Sequence, residues 1–209
     1  EKDSKQNLIL KISTELKNKE LIHNILNILT EEEFNELKRI IDNNGELQDD
    51  YIKLRKFNCV RAYGIVYLFN NNNKVYAIIP NEIMKILNNM NLNTHKKKTK
   101  ENTKIVDLAY SMLHLYGTVS IENFINAYCK YYKYKKIENI NLKTIFLAER
   151  YNNIRGIKYN ENIYLVKEEF LEDDSFDIMK KIMSKLEDDL IQIDFKDISL
   201  KELLKYKDL

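Results

Sequence analysis

Proline is almost missing from this chain, with Pro80 its single instance in 209 residues, and glycine occurs four times. So few helix breakers leave long stretches free to be helical. The two cysteines, Cys59 and Cys129, have no local partner and no CxxC spacing. They read as reduced, buried thiols in a cytoplasmic protein and not as a disulfide framework. His23, His95 and His114 are scattered, without the close spacing that metal ligands show. No apolar run approaches the roughly 20 residues of a bilayer-crossing helix, so no membrane contact is expected. The polar first residues do not read as a signal peptide. The chain opens on Glu1 and not on methionine, which leaves a longer parent protein open.

Catalytic signatures are also missing. There is no phosphate-binding loop, GxGxxG, GxSxG or HExxH. The acidic pairs Asp49-Asp50, Asp173-Asp174 and Asp188-Asp189 are adjacent in sequence. Neighbours on a helix do not share a face, so these are poor two-carboxylate sites. The expectation is a non-enzymatic protein with no catalytic residue, metal ligand or cofactor.

What is present is helical periodicity broken by two β-rich stretches. Leu8, Ile12 and Leu16, then Ile22, Ile25, Leu26 and Leu29, recur at three- and four-residue spacing. They predict one amphipathic helix or two short ones, lying across the next module. Thr30 and Glu33 form a capping box ahead of the apolar face Phe34, Leu37, Ile40 and Ile41, and Asn43-Asn44-Gly45 stops that helix. Two short helices fit Glu46 to Val60, anchored by Leu47 and Tyr51, then by Ile52, Leu54 and Phe57. Gly64 to Phe69 and Val75 to Ile79 are β-prone and predict a hairpin around Asn70–Asn73. A helix over Glu82–Met90 follows. Residues 91–103 are polar and lysine-rich, and read as a linker.

The second half repeats the plan. A helix over Ile105–Tyr116 ends at Gly117, and Ser120 caps a helix running to Tyr131. A third helix is predicted over Leu142–Tyr151, then a hairpin of Gly156–Tyr159 and Ile163–Val166. Gly64-Ile65-Val66-Tyr67 matches Gly156-Ile157-Lys158-Tyr159, and Val75 to Ile79 matches Ile163 to Val166, as a duplication would. Ser199 and Glu202 make a second capping box in a C-terminal helical tail that packs back on the modules. The predicted class is mainly α with small β-hairpins (α+β). Its parts are residues 1–90, a linker at 91–103, a second module at 104–167 and the tail at 168–209.

Three helices followed by a two-stranded hairpin resembles the winged-helix plan, a variant of the helix-turn-helix, over 31–79 and again over 104–166. That resemblance implies a third helix in the DNA major groove and a hairpin on the backbone. Many relatives use the same domain to contact proteins. Carried onto this chain, it puts Lys53, Arg55, Lys56, Asn58 and Arg61 on the first module's DNA-facing segment. Basic and amide side chains suit phosphate and base-edge contacts, and equally suit a solvated helix face. The second wing tip holds Glu161 and no cation, which departs from the pattern.

Two further patches are basic. Lys96, Lys97, Lys98 and Lys100 crowd the predicted linker. Lys130, Lys133, Lys135 and Lys136 interleave with Tyr128, Tyr131, Tyr132 and Tyr134, a pattern that can stack bases and hold a nucleic-acid backbone; at helical spacing Tyr128, Tyr131 or Tyr132 faces the module core instead. The net charge of +2 is small for a nucleic-acid binder. The expected function is a DNA-binding or DNA-associated regulator contacting duplex DNA. The alternative is a protein-interaction scaffold that meets a protein partner, or a second copy, through its terminal helices.

Overall fold

The computed structural model describes residues 4–49, 57–71, 74–133, 154–167 and 199–206, with Leu171, Asp177, Lys180, Lys181 and Ser184 besides. The chain forms two compact units, Glu1–Thr103 and Lys104–Leu209. Each combines helices with one small three-stranded antiparallel sheet, an α+β arrangement.

The first unit opens with two helices, α1 (Lys5–Leu16) and α2 (Lys19–Ile28). Asn18 separates them because its Oδ1 accepts the N–H groups of Glu20 and Leu21 and starts a new helix. Helix α2 buries Ile22, Ile25, Leu26 and Ile28, and Leu16 at the end of α1 is half-buried beside Gly64. The expectation that Leu8 and Ile12 pack inward is overturned: α1 leaves Leu8, Ile9, Leu10 and Ile12 exposed. Next comes α3 (Glu31–Asp42), whose capping box forms as predicted.

Gly45, at φ +89°, ends that reversal. Its N–H donates to Ile40 O and its carbonyl accepts from Ile79 N, both at 2.8 Å. The chain then enters β1 (Glu46–Asp49), where a short helix had been expected. The correction has a physical cause. Once the glycine lays residues 46–49 beside the hairpin, cross-strand bonding outweighs their weak helical pattern. After α4 (Asn58–Ala62), the hairpin strands β2 (Tyr67–Asn71) and β3 (Lys74–Ile78) complete the sheet, with β3 central. Pairing continues to Asn71 and Lys74, so the connection is tighter than the four or five residues predicted. Helix α5 (Asn81–Asn88) then buries Ile83, Met84 and Leu87.

The stretch read as a linker is helical. A 3-10 turn covers Leu92–His95 and α6 runs from Lys96 to Tyr116. His95, Thr99 and Asn102 are buried. Asn102 Nδ2 donates to the carbonyls of Asn27 and Leu29 at 2.8 Å each, and Thr103 Oγ1 accepts from Glu31 N at 2.8 Å. These bonds satisfy groups left open where α2 ends and α3 begins.

In the second unit Gly117, at φ +75°, turns α6 into β4 (Thr118–Ser120). Ser120 caps α7 (Ile121–Tyr132). Strands β5 (Ile154–Tyr159) and β6 (Asn162–Lys167) form the hairpin, and β6 is central. The core joins Leu108, Met112, Phe124, Ile154 and Leu165. Leu203, on the short helix α8 (Leu200–Leu203) behind the second capping box, is buried in the same core. The third helix predicted over Leu142–Tyr151 lies outside the described residues.

The two glycine turns differ in what surrounds them. A Cβ on Gly45 would sit 2.9 Å from Met84 Cγ, whereas one on Gly117 would meet nothing within 4 Å. Gly117→Ala therefore costs only the left-handed backbone, about 1–2 kcal/mol. Gly45→Ala costs more, because Met84 must also move. Urea unfolding of the two variants checks this; equal losses would overturn the packing argument.

Candidate functional site

The residues singled out as DNA-facing are not all placed. Lys53, Arg55, Lys56, Lys135 and Lys136 lie outside the described residues. Asn58 opens α4, and Arg61 on the same helix is exposed. Lys130 is exposed on α7, and Lys133 is exposed at its C-terminus with φ +57°.

Tyr128, Tyr131 and Tyr132 take the core-facing option. Tyr128 is buried, and its ring centre lies 4.8 Å from that of Tyr132. Burial, reinforced by the nearby Asp107 carboxylate, pushes the Tyr132 hydroxyl up to about 12. Lys104 Nζ stands 5.3 Å over the Tyr132 ring and Lys130 Nζ 5.7 Å over Tyr131. Those rings are engaged within the unit, so this stretch offers exposed lysines more than free aromatic faces.

An aromatic surface does exist elsewhere. Side chains alternate along a strand, and directly paired residues share a face. In the first sheet Tyr67 pairs with Ile78 and Phe69 with Tyr76, and β1 adds Gln48 opposite Tyr76. Leu68 and Ala77 form the other face, with Ala77 fully buried. Tyr67 is 41% and Phe69 54% exposed, while Lys74 and Asn71 are exposed at the hairpin end. Sequence reasoning missed this surface because large apolar residues alternate with one another and hide the period.

The lysines at 96, 97 and 100 are exposed in the opening turns of α6, a helix with no acidic residue in its first turn. Lys100 Nζ reaches Glu31 Oε1 at only 3.8 Å, on the surface.

Two of the scattered histidines meet in space. The His23 and His95 rings stand edge to face, 4.7 Å apart. His95 Nδ1 donates to Asn27 Oδ1 at 2.9 Å, which leaves Nε2 as the unprotonated nitrogen of a neutral ring. Burial, then the charge of His23, holds the His95 pKa below its ordinary value. The spacing of 72 positions between His23 and His95 gave no signal of this pair. Among the described residues no group of three His, Cys, Asp or Glu side chains could hold a metal ion, and no helix is long and apolar enough to cross a membrane.

The histidine pair makes stability depend on pH. The unfolded chain binds a proton at position 95 more readily than the folded one. Stability from this site is therefore full above about 6.5 and falls as pH drops below it. His23→Gln removes the repulsion and raises the His95 pKa. Histidine NMR titration reads that shift directly, and an unmoved His95 would show that burial acts alone. No protein-family model, curated protein or solved structure matches the chain.

Proposed function

We propose that the chain is a DNA-associated regulatory protein whose first unit grips a phosphate backbone through a winged-helix-like module. Strand order supports the module. In each unit the short strand after the stop glycine pairs with the returning strand of the hairpin. A two-stranded wing is marginal alone, and a third strand makes it a stable projection.

The opening of α6 carries the polyanion reading. Lysines at the positive end of a helix dipole oppose it, where acidic residues would contribute about 0.3–1 kcal/mol each. Lys96, Lys97 and Lys98 begin this helix and no acidic residue shares the turn. A bound phosphate backbone offsets that cost. Exposed Arg61 adds a cation in the same unit. A protein-interaction role is the second reading, favoured by the exposed apolar side chains of α1.

The test is a titration against short duplex DNA at two salt concentrations. Affinity falls as salt rises, by a slope of about 0.9 for each phosphate contact. Lys96→Glu with Lys97→Glu flattens that slope, weakens binding about tenfold and raises the melting temperature. Lys53→Glu, Arg55→Glu and Lys56→Glu together weaken binding as well. Affinity indifferent to salt and to both sets of substitutions would remove the DNA reading.

A further inference from the structure

We propose that the outer face of the first sheet is a stacking platform for a single-stranded nucleic-acid segment, a site separate from the duplex contacts above. Three observations carry it.

The first is that nothing in the fold requires this face to be open. Register places Tyr164 and Val166 of the second sheet where Tyr76 and Ile78 stand in the first, since Leu165 and Ala77 are the buried residues of each central strand. Tyr164 and Val166 are buried, with Ile157, Tyr159 and Leu171 packed against them. Of these, Leu171 belongs to the chain that follows β6, so the second unit helps to close its own outer face. In the first unit the following chain turns away at Pro80, and α5 buries its apolar residues in the core.

The second is the chemistry of what is left open. The exposed side chains are aromatic where an apolar protein contact is equally served by Leu or Val. Tyr67 and Phe69 lie two residues apart on one strand, about 6.7 Å. That is roughly twice the 3.4 Å rise of stacked bases, so each ring has room for its own base. Tyr76 stands across from Phe69. The Tyr67 hydroxyl lies beside Gly64, where an added Cβ would come within 3.3 Å of its Oη and 3.1 Å of Leu16 Cδ2.

The third is polarity and charge. Gln48 and Asn71 flank the rings and are exposed; amides pair with base edges. Lys74 stands at the hairpin end and Glu46 at the other, paired with Ile78. A strand lying on the rings would place its phosphates toward Lys74.

The experiment uses the full chain and labelled oligo(dT) and oligo(U) of about 12 nucleotides, within the usual site size, read by fluorescence polarisation. Phe69→Ala weakens oligonucleotide binding about tenfold. Phe69→Leu, which keeps apolar area but has no π face, loses as much, and Phe69→Trp retains affinity. Phe69 is over half exposed, so these variants fold. Duplex binding is unchanged in them, whereas Lys96→Glu with Lys97→Glu lowers duplex binding. The two proposals therefore fail separately. The platform is overturned if the wild-type chain does not bind either oligonucleotide, or if Phe69→Leu binds as well as wild type. It is also overturned if sedimentation finds a dimer that Phe69→Ala dissociates, since a second copy then covers the face.

Discussion

A helix can become a strand within a few residues only if the backbone leaves the right-handed region at the joint. Both units depend on that constraint. Gly45 and Gly117 take positive φ where other residues are strained, and each is followed at once by a strand. At Gly45 one residue serves both elements, since its N–H closes α3 and its carbonyl begins the sheet by accepting Ile79 N. Without the reversal the first strand could not reach the hairpin. The hairpin would remain two strands wide, and the surface of Tyr67, Phe69 and Tyr76 would lose its support from β1.

Local signals were legible and cross-chain ones were not. The Thr30 and Ser199 capping boxes, the Ser120 cap and the glycine stops all formed, because each depends on residues within a turn of itself. The strands Glu46–Asp49 and Thr118–Ser120 span four and three residues, too short for a period, and exist because a distant strand bonds to them. Residues 91–103 misled for another reason. Their inward side chains are Asn102, Thr99 and His95, which are held by hydrogen bonds and leave no apolar stripe to read. The tyrosines of α7 were legible as core by spacing alone. The platform was not, because Leu68 between Tyr67 and Phe69 blurs which face is apolar.

Comparison of the two sheets separates what they share from what they do not. Strand order, the glycine turn and the inward residues of the central strand correspond. The outward residues do not: Tyr164 and Val166 are buried, whereas Tyr76 and Ile78 are half-buried beside the exposed Tyr67 and Phe69. A backbone plan tolerates this because only one face of such a sheet must meet the core. The outer face is free to be closed by the chain's own continuation or left for something else.

A net charge of +2 looks poorly matched to a phosphate backbone, but the mismatch concerns distance and not contact. At physiological salt, charges beyond about 8 Å are largely screened. Lys96, Lys97 and Lys100 fall within little more than one helical turn, a rise of about 6 Å. A strand against them would meet those three cations, one of them shared with Glu31. The acidic residues elsewhere matter at long range, where they cancel the steering that a strongly basic protein gives to association. Under the DNA-binding proposal, contact energy and capture rate thus separate. Under that proposal the lysine turn holds a backbone at contact, and the absence of steering places more of the selectivity on short-range interactions, of which ring stacking is the least sensitive to salt.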